Sequence, residues 1–313
     1  MKNNLYFVIP CYNEEEVLHE TAKRLLVKLN SLIEKNMVSK DSRIVFVDDG
    51  SKDKTWEMIQ KLNNENPHFK GVKLSRNRGH QNALLAGLMT VKKDCDLCIS
   101  LDADLQDDIE VIDLFVQKYN EGCDIVYGVR KNRETDTMFK RGTANTFYKI
   151  MKGLGVDIVH NHADYRLMSK RALESLTDFP EVNLFLRGII PLIGFKSDVV
   201  EYERHQRFAG VSKYPLKKML SFAFDGITSF SVRPIRMVFW LGVVIFILSV
   251  IVMAYTFFVR IFGYTVTGWS TMFASIWALG GIQLLSLGVV GEYIGKIYKE
   301  VKRRPNFIVE EYI

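Results

Sequence analysis

The chain has 313 residues, of which 48% are hydrophobic and 25% charged, with a formal net charge of +6 and a pI near 9.0. That length suits one large domain with an appendage. The basic surplus comes without a helix-turn-helix, zinc-finger or RNP-type aromatic motif, so nucleic acid is not an expected partner.

Strand and helix signals alternate through the first 130 residues or so. Leu5–Pro10 is a continuous apolar run, too short for a signal sequence and suited to an interior strand. Glu14 to Glu34 carries Val17, Leu18, Leu25, Leu29 and Leu32 at helical spacing. Ile44–Val47 reads as a second strand running into Asp48-Asp49-Gly50-Ser51, where Ser51 or Asp53 caps a helix reaching about Leu62. A third strand at Val72–Leu74 precedes a helix over Gly79–Val91. A fourth at Leu97–Leu101 precedes a helix over Ile109–Asn120, and Ile125–Tyr127 is a fifth strand. This alternation predicts an α/β fold on a mainly parallel, Rossmann-like sheet, with ligands beyond the carboxyl ends of the strands.

Three polar clusters fall at those ends: Pro10-Cys11-Tyr12-Asn13-Glu14, Asp48-Asp49-Gly50-Ser51 and Asp102-Ala103-Asp104. In an extended backbone Asp102 and Asp104 point to the same side, and Gln106 continues the row with a neutral oxygen. Such oxygens suit Mg²⁺ or Mn²⁺ held against a substrate diphosphate, although Asp pairs also make turns and caps. Asp49 suits a turn as well as it suits a contact to a base or ribose. Neither G-x-x-x-x-G-K-[ST] nor G-x-G-x-x-G after the first strand occurs, which argues against a P-loop NTPase and a classical dehydrogenase. The four cysteines, including the C-x-x-C spacing of Cys95 and Cys98, read as small core residues in a reducing compartment. His160-Asn161-His162 has metal-binding spacing without further ligands nearby, and reads as a surface loop.

Farther on, Leu216, Met219, Leu220, Ala223, Ile227 and Phe230 form one helix face beside Lys213, Lys217 and Lys218, an expected interfacial helix over about 213–235. From Met237 to Val259, and again from Phe262 to Gly291, no charged residue occurs; each stretch has the roughly 20 helical residues that a bilayer core requires. Two transmembrane helices are expected, about 237–259 and 269–291, within a segment 236–295. Basic residues precede the first and follow the second, in a tail over 296–313, while the loop between carries only Arg260. The positive-inside rule then puts both ends in the cytoplasm of a multi-pass protein of the cytoplasmic membrane.

Val8-Ile9-Pro10-Cys11-Tyr12-Asn13-Glu14, Val47-Asp48-Asp49-Gly50-Ser51 and Asp102-Ala103-Asp104-Leu105-Gln106 resemble the successive motifs of family 2 glycosyltransferases with the GT-A fold. Ala163-Asp164-Tyr165-Arg166-Leu167-Met168, Gln206-Arg207-Phe208-Ala209-Gly210-Val211-Ser212-Lys213-Tyr214 and Gly291-Glu292-Tyr293-Ile294-Gly295-Lys296 are similar to the polyprenyl-phosphate glycosyltransferases within it. The resemblance implies a GT-A domain over 1–212. Pro10, Tyr12, Asn13, Glu14, Asp49, Arg76, Asp102 and Ala103 would bind the nucleotide sugar, and Asp102, Asp104 and Gln106 the metal. It implies catalytic positions at Asp164, Asp104 and Arg207. An acceptor-phosphate set of Arg130, Arg141, Arg207, Ser212 and Lys213 is also expected. The implied partners are a UDP-sugar, a polyprenyl phosphate, membrane lipids and, as an open option, a second copy of the chain in a homo-oligomer. A processive polysaccharide synthase would need a Q-x-x-R-W motif and more spans, and a transporter would need more polar groups in its spans.

Overall fold

The computed structural model describes residues 2–131, 162–182, 184–203, 233–261 and 268–313. Strands β1 (Leu5–Cys11), β2 (Arg43–Asp48), β3 (Phe69–Leu74) and β4 (Leu97–Ser100) lie parallel, as the βα alternation requires. Strands β5 (Ile125–Arg130) and β7 (Ser197–Tyr202) are also parallel to each other. Two antiparallel strands complete a mixed sheet of order β7-β5-β6-β4-β1-β2-β3-β8: β6 (His162–Ser169) joins β4 to β5, and β8 (Val309–Tyr312) extends the β3 edge. Neither was legible as a strand in the sequence. His162 opens β6, so it does not lie in the surface loop expected of the His160–His162 triplet; residues 160 and 161 are outside the described residues.

The run at β1 has no alternation because both of its faces are covered. Leu5, Phe7 and Ile9 pack on one side with Leu18, Leu25, Leu29 and Leu32 of α1 (Leu18–Glu34) and with α4 (Ile112–Asn120). Tyr6 and Val8 pack on the other with α3 (His80–Val91), α5 (Lys170–Leu176) and α6 (Leu186–Leu192). Each large apolar side chain so buried contributes about 1.5–3 kcal/mol. Helix α2 (Thr55–Glu65) covers β3, and all four cysteines are free and buried, as their reading as core residues predicts.

Helices α7 (Arg233–Ile261, 29 residues) and α8 (Trp269–Lys302, 34 residues) follow, the first about 43 Å long at 1.5 Å per residue. Among the described residues no helix is long and apolar enough to cross a membrane. Both nonetheless expose many large apolar side chains, among them Phe239, Trp240, Ile247, Leu284 and Leu287. Of the interfacial segment expected over 213–235, residues 213–232 lie outside the described residues and residues 233–235 open α7.

The carboxyl-terminal tail, uninformative as sequence, is part of the fold. Arg303 adopts a left-handed conformation that ends α8, after which Phe307 and Val309 pack on the α3 side of the core. Ile313 exchanges two backbone hydrogen bonds with Gly71, and Lys73 pairs with Glu310 at 3.1 Å. The end of α8 is also tied in: Glu300 accepts from the Val182 amide at 2.9 Å, and Asn306 donates to the Glu181 carbonyl at 3.0 Å.

Candidate active site

Because β1, β2 and β4 run parallel, their carboxyl ends open on one edge of the sheet, and the three polar clusters meet there. Strand β6 enters that edge from the opposite direction. Its register sets Ser100 against Arg166, so the chain emerging from β4 at Asp102 passes alongside Asp164. The Ser100 hydroxyl donates to the Asp164 carbonyl at 2.6 Å and fixes this junction.

At the β1 and β2 ends the polar groups are satisfied chiefly by backbone. Asn13, at φ 52, accepts from the Lys52 amide at 2.8 Å and donates its own amide to the Ser51 hydroxyl at 3.0 Å. The Glu14 amide donates to Thr55 Oγ1 at 3.0 Å. Asp48 accepts from the Ser51 amide. Asp49 is buried and accepts from the amides of Arg78 at 2.7 Å and Gly79 at 2.8 Å. Burial raises its pKa, and these two amides offset that only partly. Gly50 makes the crossing feasible: at φ +65, a Cβ would lie 2.6 Å from the Asn77 nitrogen and 2.7 Å from the Arg76 carbonyl carbon. The loop that carries Arg76 to His80 is thus clasped onto the end of β2.

Asp102 and Asp104 do not form the extended row expected of them. Strand β4 stops at Ser100, residues 103–105 form a turn with Leu105 at φ 57, and the Gln106 amide donates back to Asp104 Oδ1 at 3.2 Å. The strand ends because β6 pairs with it no farther than Ser100. Thr21 of α1 holds the turn from behind, donating to the Ala103 carbonyl at 2.7 Å. Two carboxylates suit a hard divalent cation whose remaining ligands are phosphate oxygens of a substrate. Among the described residues no group of three or more His, Cys, Asp or Glu could hold such an ion.

Asp164 is the hub of the edge. It is buried, and its carboxylate is met by three cationic side chains. Arg166 bonds it from within β6. Arg187, on the first turn of α6, donates from Nη2 at 3.0 Å and from Nε at 3.3 Å, and His80 Nε2 stands 3.5 Å away. The same His80 nitrogen is 3.5 Å from Asp102, so one imidazole joins the two carboxylates. Burial alone would raise the Asp164 pKa, but Arg187, His80 and Arg166 outweigh it and hold the carboxyl well below the ordinary range. Burial opposes charge on His80 as well, and the two carboxylates overcome it, raising the imidazole to about 9. Behind the hub, Asp107 accepts from the Tyr202 hydroxyl and lies 3.6 Å from Arg130; burial first and Asp102 second push its carboxyl up to about 6.

The sequence-predicted set divides on this geometry. Asp49, Asp102, Ala103, Asp104, Gln106 and Asp164 gather at the edge with Tyr12, Asn13 and Glu14. Pro10 is buried inside β1, paired with Val47, and supports the site without lining it. Arg76 is exposed on the clasped loop. Arg130 is engaged at the end of β5, its Nε donating to the Tyr202 hydroxyl at 3.2 Å. Arg141, Arg207, Ser212 and Lys213 lie outside the described residues. Sequence reasoning missed His80 and Arg187, which sit at the starts of helices far apart in the chain. The Leu186 amide bonds Gln81 Oε1 at 3.0 Å and ties those two helix starts together.

Residues 6–177 match the model of glycosyl transferase family 2. The chain belongs to that family. Its α/β domain is a glycosyltransferase domain of the GT-A architecture expected. Residues 233–297, spanning α7 and most of α8, match the GtrB C-terminal hairpin. An uncharacterised glycosyltransferase of Bacillus subtilis, YkoT, is 56% identical over 98% of this chain and 91% of its own length. The SfII prophage-derived bactoprenol glucosyl transferase of Shigella flexneri is 39% identical over 97% of this chain and 96% of its own. Among solved structures, glucosyl-3-phosphoglycerate synthase of Mycobacterium tuberculosis with Mn²⁺, UDP-glucose and phosphoglyceric acid gives a TM-score of 0.45. It has 15% identity and covers 72% of this chain and 78% of that one.

Proposed function

We propose that this glycosyltransferase moves a hexose from a nucleotide sugar to a polyprenyl phosphate, undecaprenyl phosphate in a bacterium, at the cytoplasmic face of the membrane. The observation that carries the acceptor is the cationic cover of Asp164. A hydroxyl acceptor must lose a proton during attack and needs a general base. A carboxylate already bonded to Arg166 and Arg187, with His80 beside it, is a poor base and a good organiser of positive charge. A phosphate monoester, with a second pKa of about 6, arrives mostly as the dianion at neutral pH and needs that charge. The lipid phosphate would attack the anomeric carbon with inversion, and UDP would leave.

Relatives named bactoprenol glucosyl transferase support UDP-glucose as first choice of donor, with UDP-N-acetylglucosamine second and GDP-mannose third. Asp102 and Asp104 would hold Mg²⁺ or Mn²⁺ against the donor diphosphate, where the ion neutralises charge developing on the leaving group. The exposed apolar faces of α7 and α8, with basic residues before the first and after the second, support two membrane helices with both chain ends cytoplasmic. A two-span scaffold with an inactive nucleotide domain would share these helices, but it has no use for an organised Asp102–His80–Asp164 array.

The test is transfer by detergent-purified protein from a panel of radiolabelled nucleotide sugars, offered undecaprenyl phosphate or undecaprenol. Labelled lipid from the phosphate alone is the expected result. Equal use of undecaprenol, or no transfer from any donor, would overturn the reading.

A further inference from the structure

His80 and Arg187 reach Asp164 from the first turns of α3 and α6, and the chain entering each helix is fastened to one short segment at the end of α8. Before α6, the Val182 amide donates to Glu300 at 2.9 Å, and the Glu181 carbonyl accepts from Asn306 Nδ2 at 3.0 Å. Before α3, the Ser75 amide donates to the Ile308 carbonyl at 3.1 Å. Phe307 packs against the α3-side core, as does Leu184 from the loop before α6. Residues 300–308 therefore meet both loops that deliver side chains to Asp164.

All three bonds are made to the main chain of the loops, so they fix the backbone path itself. The Val182 and Leu186 amides donate to side chains of two different helices, Glu300 of α8 and Gln81 of α3, and the entry to α6 is suspended between them. Arg187 follows at once, and its guanidinium bonds Asp164 from Nη2 and Nε. A displacement of about 1 Å at a reacting centre can cost about 100-fold in rate, so the anchoring of this loop bears on the chemistry. We propose that residues 300–308 form a strap that sets the active edge. Glu300 and Asn306 are then positioning residues for sugar transfer, acting through the 181–187 loop on Arg187 and Asp164. Because Glu300 lies on α8, the strap also ties that helix to the edge. The proposal rests on reading the Asp164 edge as the place of transfer, whichever donor and acceptor are used.

The full chain in detergent, with Glu300→Ala, Glu300→Gln, Asn306→Ala and Asn306→Asp variants, tests it. Glutamine still accepts from the Val182 amide, whereas aspartate cannot donate to the Glu181 carbonyl. Amide hydrogen exchange needs no turnover and reads local opening. The Leu186 amide should exchange about 10- to 100-fold faster in Glu300→Ala, and about 3- to 10-fold faster in both Asn306 variants. Glu300→Gln should stay closer to the wild type than Glu300→Ala, and the amides of β1 and β2 should exchange as in the wild type throughout. In transfer assays kcat should fall about 10- to 100-fold in Glu300→Ala, with KM for the nucleotide sugar unchanged, because the Asp49 loop keeps its own bonds. Unchanged exchange at Leu186 in Glu300→Ala would overturn the proposal, as would a Gln variant as impaired as Ala. So would exchange that rises across β1 and β2 as much as at Leu186, or a kcat that holds while Leu186 opens. The expected exchange pattern in a protein that transfers no sugar from any donor would uphold the strap and contradict the transfer reading.

Discussion

Asp49 and Asp164 are both buried carboxylates at one edge of one sheet, and they are held in opposite ways. Asp49 is answered by two backbone amides, those of Arg78 and Gly79, and burial still leaves its pKa raised. Asp164 is equally enclosed, yet Arg187, His80 and Arg166 more than cancel the burial. Amide dipoles can close a loop over a buried carboxylate, but full charges are needed to make it a firm anion. In the function proposed above, the first arrangement would build the wall on which a nucleotide rests, and the second would organise positive charge for an anionic acceptor.

The largest effect should come from the turn between these two regions. Asp104→Asn should abolish transfer while leaving the circular dichroism of the fold intact. EDTA should do the same to the native protein, with Mg²⁺ or Mn²⁺ restoring it. Undiminished turnover in EDTA would remove the metal from the account.

Next in size is the loss of the hub carboxylate. Asp164→Asn strands Arg166, which is buried and has Nε and Nη1 without hydrogen-bond partners among the described residues. Breaking a buried pair from one side costs about 3–5 kcal/mol, so a clear drop in melting temperature is expected at neutral pH. The Asp164 pKa is depressed on folding, so its stabilising contribution is complete above the unfolded value of about 4 and fades as pH falls through the lower folded value. The gap in melting temperature between wild type and Asp164→Asn should therefore narrow below about pH 4. A gap that stays constant into strong acid would mean that the charge on Asp164 is not what stabilises the site.

Asp49→Ala is smaller, because its partners are neutral. Two part-buried amides lose their acceptor at about 1–3 kcal/mol, and the freed 76–80 loop should weaken UDP binding about tenfold, read by calorimetry. Gly50→Ala acts on the same loop and should cost a similar amount. The left-handed φ alone is worth about 1–2 kcal/mol, and the added Cβ would also press on Asn77 and Arg76 backbone, so a fall in both melting temperature and UDP affinity is expected. A Gly50→Ala protein indistinguishable from wild type would show that the loop is not clasped.

The contrast also separates what could be read from the sequence from what could not. The β1, β2 and β4 runs, their carboxyl-end clusters and the buried cysteines are local patterns, and a period of two or an uninterrupted apolar run announces them. Asp49 is of the same kind: Asp-Asp-Gly-Ser already admitted a turn, and a loop clasp is close to that. The Asp164 hub was not legible, because its partners lie on three elements. His80 opens α3 and Arg187 opens α6, and only the antiparallel entry of β6 and the Gln81–Leu186 bond bring them together. The same cause hid β8, four residues whose pairing with β3 depends on a chain end returning from the far side of α8. The turn at Asp104 departs from the extended row because strand pairing, not the local sequence, decides where β4 stops.

The claim that the hub organises charge and does not remove a proton is tested most directly by the pH dependence of sugar transfer to polyprenyl phosphate in wild type and Asp164→Asn. The acceptor's second pKa of about 6 sets the range to scan. If Asp164 positions Arg187 and its neighbours, the variant should be slower by a factor that is the same across that range, and raising the pH should not rescue it. If the variant instead recovers steeply as pH rises through the acceptor's second pKa, Asp164 is acting as a base and the account is wrong.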